Sequence, residues 1–91
     1  MFDPTLNPRQ LALQIQRELI ESYDIDSELF MAAGAPVLTF EWRGLKRQIA
    51  LTLSAAGAPE TAVITAAQTK VARSNCVVVD SVEKLHAYFH R

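Results

Sequence analysis

The sequence predicts an α+β domain: a small mixed or antiparallel sheet built on a β-hairpin at about 37–54, joined by a strand at 76–79 and packed against N-terminal and C-terminal helices. Three observations predict it. From Val37 to Ser54, apolar and polar residues alternate with the period of two that a half-buried strand requires. Ahead of that stretch lies an apolar stripe of helical spacing behind a capping sequence. After it, a β-branched run leads into a second capped helix. With 91 residues, 49% apolar and 21% charged, the chain suits a single globular domain, 1–91, and is too apolar for disorder.

The first helix starts at Asn7-Pro8, where the amide can cap, Pro is tolerated in the first turn, and Gln10 can return the bond. It should run to about Tyr23, with Leu11, Ala12, Ile15, Leu19 and Tyr23 on its inner stripe. Leu13 and Ile20 fall on the far flank of that stripe. An acidic connector, Asp24-Ile25-Asp26-Ser27-Glu28, follows. Ser27 is placed to cap a short helical turn from Glu28 to Ala33, with Gly34 to end it and Pro36 to bias Ala35 toward extended geometry.

In the hairpin, Arg43-Gly44 is the turn. Trp42 then faces Leu45, Glu41 faces Lys46, Thr39 faces Gln48, and Leu38 faces Ile49, which puts opposite charges on one face and apolar groups on the other. Arg47 alone breaks the pattern by falling on the apolar face near Phe40. Either a bulge at Gly44 shifts the register, or the guanidinium reaches past the edge of the core.

The segment 60–73 reads in two ways. Pro59 and Glu60 suit a first helical turn and Val63, Ala66, Ala67, Lys70 and Val71 a small-residue stripe, but Val63, Thr65, Ala67, Thr69 and Val71 also alternate. The abundance of Ala favours helix. Cys76-Val77-Val78-Val79 reads as a strand buried on both faces, and Asp80 as the cap of the last helix, with Glu83 at the return position and Val82, Leu85 and Phe89 inward. The word AAGAP occurs at 32–36 and at 55–59, but different residues follow each copy. It serves as punctuation at two different joints, the first between a helical turn and a strand.

Little in the chain carries chemistry. Asp24, Asp26 and Glu28 imitate the start of a calcium loop, yet Leu29 and Ala35 occupy the places where that loop needs Gly and Glu. His86 and His90 share a helical face with Glu83, without a further His or Cys pair to complete a metal set. Cys76 begins an apolar strand, which favours an inert core thiol. No nucleophile elbow, phosphate loop or dinucleotide fingerprint is present, and the expectation is a protein without catalysis, metal or cofactor. A net charge of −1 provides no global field for nucleic acid or anionic membranes. No run approaches the roughly 18 apolar residues of a membrane span. The single Cys suits a reducing compartment, so the expected location is the cytoplasm.

Two surfaces remain. Leu13 and Ile20, with Arg17, form a candidate protein interface on the first helix. Trp42, Arg43, Lys46 and Arg47 form a basic and aromatic hairpin tip that could follow a phosphate backbone while stacking on a base. The expected function is protein binding, as an adaptor, regulator or inhibitor of the kind phages and mobile elements encode, with a homodimer among the partners. The alternative is nucleic-acid binding at the tip. A helix-turn-helix over Ser54 to Ala67 would require Leu45 to Ala56 to be a helix, which the alternation there disfavours.

Overall fold

The computed structural model describes residues 2–3, 5–66 and 76–90. The order is α1 (Pro8–Tyr23), β1 (Ser27–Ala32), β2 (Ala35–Trp42), β3 (Leu45–Leu53), β4 (Pro59–Ala66), β5 (Val77–Val79) and α2 (Val82–Phe89). The strands form one antiparallel sheet in which each pairs with its neighbour in sequence, β1-β2-β3-β4-β5. Both helices pack on the same side of it. The protein is therefore a two-layer α+β domain.

Asn7 caps α1 through a reciprocal pair of bonds with Gln10 at 2.8 and 2.9 Å, satisfying amides that the first turn leaves without partners. The helix stops where Asp24 adopts a left-handed conformation (φ 55). Ile25 then donates to the Leu19 carbonyl at 2.9 Å, which turns Ile25 into the core. The inner stripe of α1 is Leu11, Ala12, Ile15 and Leu19, as its spacing requires.

The central hairpin has the register its alternation dictates: Trp42 opposite Leu45, Glu41 opposite Lys46, Thr39 opposite Gln48, Leu38 opposite Ile49. Arg43 and Gly44 both have positive φ (52 and 75), the two-residue turn whose twist matches that of paired strands. There is no bulge at Gly44, so Arg47 stays opposite Phe40 on the helix-covered face.

Four sequence-based expectations are corrected. Residues Glu28 to Ala33 do not make a helical turn: Ser27–Ala32 is β1, with Leu29 opposite Leu38. A helix this short cannot offset its nucleation cost, whereas Ala33 and Gly34 (φ 51 and 82) repeat the turn at Arg43-Gly44 and lay β1 along β2. Both copies of AAGAP thus lie at connections between antiparallel strands, β1 to β2 and β3 to β4, the second with Gly57 at φ 83.

The second correction concerns 60–73. Pro59–Ala66 is β4, while 67–73 lies outside the described residues. The helix preference of Ala is worth at most about 0.7 kcal/mol per residue over ordinary residues. Against it stand a full ladder along the open edge of β3 and the burial of Ala62 and Ile64 beneath the helices. Thirdly, β5 is not buried on both faces. It is a three-residue edge strand in which Val79 is buried and Val78 is exposed, and Cys76, just before it, is exposed as well. Finally, Ser81 rather than Asp80 caps α2, accepting from the Lys84 amide at 3.3 Å. Asp80 instead pairs with the Lys84 ammonium at 3.1 Å, which holds its carboxyl below the usual range.

The core runs through one layer: Leu38, Phe40, Ile49, Leu51, Ala62, Ile64 and Val79 from the sheet meet Leu11, Ile15 and Leu19 of α1 and Leu85, Tyr88 and Phe89 of α2. Phe2 joins this core. Each fully buried aliphatic side chain contributes about 1.5–3 kcal/mol. Ile49 sits at the centre, between Leu38 and Ile64. Ile49→Ala is expected to cost about 2–5 kcal/mol in denaturant unfolding. Leu45→Ala, on the same strand but exposed, should stay within about 0.5 kcal/mol.

Candidate functional site

At the end of the central hairpin the structure gathers Trp42, Arg43 and Arg47, but it turns two of them inward on the protein itself. The Arg47 Nε donates to the Trp42 carbonyl at 3.2 Å, and its Nη1 donates to the Tyr88 hydroxyl at 2.7 Å. Its guanidinium lies 5.2 Å from the Trp42 ring and 5.9 Å from Tyr88. Trp42 meets Phe89 edge-on at 5.0 Å and Tyr88 at 5.4 Å, while Arg43 covers it at 4.2 Å. Of the two sequence readings of Arg47, the guanidinium reaching past the core edge is the one observed. It clips α2 to the hairpin. A base stacking on Trp42 would have to displace Arg43 or the rings of α2. Lys46 lies on the opposite face, across from Glu41.

A second polar group joins the helices. His86 places Nε2 3.2 Å from the Glu18 carboxylate and Nδ1 against the Tyr23 hydroxyl, and His90 Nε2 lies 3.5 Å from the same hydroxyl. In the neutral imidazole that donates from Nε2 to Glu18, Nδ1 accepts the phenol proton. Tyr23 also stacks on Phe89 at 4.6 Å. Sequence spacing finds His86 and His90 but misses Glu18 and Tyr23, because contacts between distant elements leave no periodic mark. A carboxylate, an imidazole and a phenol in series resemble a proton relay. Activation of a tyrosine oxygen, however, needs a lowered pKa, and here burial first and the Glu18 charge second push the Tyr23 phenol up. The chemistry this arrangement performs best is to fasten α2 to α1. Glu83 is exposed on α2, and among the described residues no three His, Cys, Asp or Glu side chains are placed to share a metal ion.

A concavity among the described residues lies elsewhere. It is an open groove of about 310 Å³ at the start of β1, where Asp26, Glu28 and Glu41 face a single cation, Lys46. The groove brings together carboxylates and Ser27 without an imidazole or thiol.

The largest unusual feature is apolar. Phe30, Val37, Ala50, Val63 and Val78 are successive register partners, one from each strand, and they form a row across the sheet on the side away from both helices. Its ends stand open, Phe30 at 45% and Val78 at 61% exposure. The outer flank of α1 presents Leu13 and Ile20, each 46% exposed, on either side of the exposed Arg17. Sequence reasoning finds the helical pair and misses the longer row. Each strand carries one of its members, so only the register reveals it. No helix of the described residues is long and apolar enough to cross a membrane.

Two outcomes check these assignments. Arg47→Ala should cost about 1–3 kcal/mol in denaturant unfolding, because it leaves the Trp42 carbonyl and the Tyr88 hydroxyl without their shared donor. Arg47→Lys should recover only part of this, since an ammonium cannot span both acceptors as a fork does. For Tyr23, the fold favours the neutral phenol, so its contribution to stability is fully present below the ordinary tyrosine pKa of about 10 and is lost as pH rises through the higher folded value. Ring chemical shifts followed through alkaline pH should show a late Tyr23 titration that Glu18→Gln moves back toward that ordinary value. Comparison with models of known protein families, with curated proteins and with solved structures finds no match to this chain.

Proposed function

We propose that this protein acts without catalysis, as a protein–protein interaction module whose contact surface is the face of its sheet away from α1 and α2. The observation that carries the reading is the apolar row from Phe30 to Val78. A half-covered antiparallel sheet ordinarily shows polar groups on its open side. Here the middle register of that side is apolar on all five strands, a feature of surfaces that meet partners. The face is also nearly free of charge along its flanking registers, where Thr39, Gln48 and Thr65 lie on one side and Thr52 and Thr61 on the other. That composition suits a protein surface and offers a phosphate backbone a single cation further out, Lys46, which stands opposite Glu41.

The reading places the protein among adaptors, regulators or inhibitors, with Leu13, Arg17 and Ile20 as a second, smaller contact on α1. The proposed setting is the cytoplasm, where an exposed thiol such as Cys76 stays reduced.

Affinity capture on the immobilised chain, read by mass spectrometry, tests it. Phe30→Lys and Val78→Lys should each abolish capture while leaving the circular dichroism spectrum unchanged, since both side chains are exposed. Retention of capture in these variants, with loss in Leu13→Asp plus Ile20→Asp, would move the site to α1. Retention in all of them removes the reading.

A further inference from the structure

We propose that the occupant of the face away from α1 and α2 is a second copy of this chain, the two sheets packing face to face in a symmetric homodimer. This rests on the reading of that face as the contact surface and names its partner.

Three features point to self-association. The first is area. Three same-face registers about 7 Å apart on β1 to β4, with strands about 4.8 Å apart, and the one outward residue of β5 give a flat footprint on the order of 400 Å². Side-chain relief raises the accessible area toward the roughly 600–800 Å² per partner that a stable, specific interface buries. A smaller object, such as an added peptide strand, would leave most of the row uncovered.

The second feature is the distribution of bulk. Val37, near the middle of the row, is already only 7% exposed between Phe30 and Ala50, so what remains open is the two ends. A two-fold axis lying between the sheets along β3, the central strand, sets β1 of one copy over β5 of the other. Phe30 of each copy then covers Val78 of its partner. One contact, made twice, closes both ends. Sheets of this kind pack about 10 Å apart with strands within about 30° of alignment, close enough for such side chains to meet.

The third feature is charge. Across the row and its two flanking registers, Glu28 on β1 is the charged residue, opposite Thr39. The same axis carries each Glu28 toward the far edge of the partner sheet, so the two carboxylates do not meet. One register further out on the same face, Lys46 of β3 meets its own copy near the axis with Glu41 beside each ammonium as counter-charge, and the alanines and threonines of the flanking registers permit close approach.

Sedimentation equilibrium on the full chain, from micromolar to millimolar concentration, tests the proposal. The wild type should approach twice the 10.1 kDa monomer mass as concentration rises. Phe30→Lys and Val78→Lys should each weaken association at least about tenfold. Phe30→Lys combined with Val78→Glu should restore much of it, because opposite charges then meet across the axis, and that recovery also excludes misfolding as the cause of the single losses. Leu13→Asp with Ile20→Asp should leave the dimer intact. A wild type that stays monomeric at millimolar concentration overturns the homodimer, as does association that survives both sheet variants, and a combined variant that fails to recover overturns the axis along β3. A monomeric wild type that still captures another protein, with capture lost on Val78→Lys, overturns the dimer alone. Capture indifferent to Val78→Lys overturns the contact surface with it.

Discussion

The pairing of Leu38 with Ile49, held in register by the left-handed turn at Arg43-Gly44, is the constraint on which the remaining structure depends. Because strand side chains alternate, a one-residue slip of either strand would carry Leu38 and Phe40, or Ile49 and Leu51, to the opposite face and leave the helices facing polar groups there. With the register as it is, β4 continues the apolar face through Ile64 and Ala62, and β5 through Val77 and Val79. The helices follow. Leu11, Ile15 and Leu19 have only that face on which to become buried, and so have Leu85 and Phe89.

One consequence is asymmetry. Two helices on one side of five strands cover one face only, so the alternation that builds the core also decides what the other face displays. Most of that display is Thr, Gln and charged residues, but the register through Phe30, Val37, Ala50, Val63 and Val78 is apolar. Burial on the helix side is sufficient to explain the fold. It does not explain this row, which is why the functional reading rests there rather than on the polar clusters.

Those polar clusters fasten the layers together. Arg47 holds Tyr88 and the Trp42 carbonyl at one end of α2, and His86 holds Glu18 and Tyr23 along its length. An arginine on an apolar strand face looks like an error in patterning until its contacts are seen, since its guanidinium lies over two rings while its fork finds two acceptors. The histidines are comparable: a pair spaced for a metal proves to be directed at a phenol and a carboxylate on another helix.

Where interactions are local, the residues announce them. The capping pair Asn7 and Gln10, the extent of α1, the Arg43-Gly44 turn and four of the six cross-strand pairs of the central hairpin were legible in the chain, because each depends on neighbours within a few positions or on a strict period. The exposed flank of α1 was legible for the same reason. Local signals failed wherever two conformations were close in energy. Glu28 to Ala33 and the start of 60–73 became strands because β2 and β3 offered them edges, and a ladder plus burial outweighs a helix preference of a few tenths of a kcal/mol per residue. By itself, then, the sequence determined the α+β class, the boundaries of α1 and the register of one hairpin. Tertiary structure alone decided that the described residues form a five-stranded sheet, that Arg47 and His86 act as clasps, and that one apolar residue from each strand lines up on the face away from both helices. Such a row exists only once strands far apart in the chain are set side by side, and no window of consecutive residues contains it.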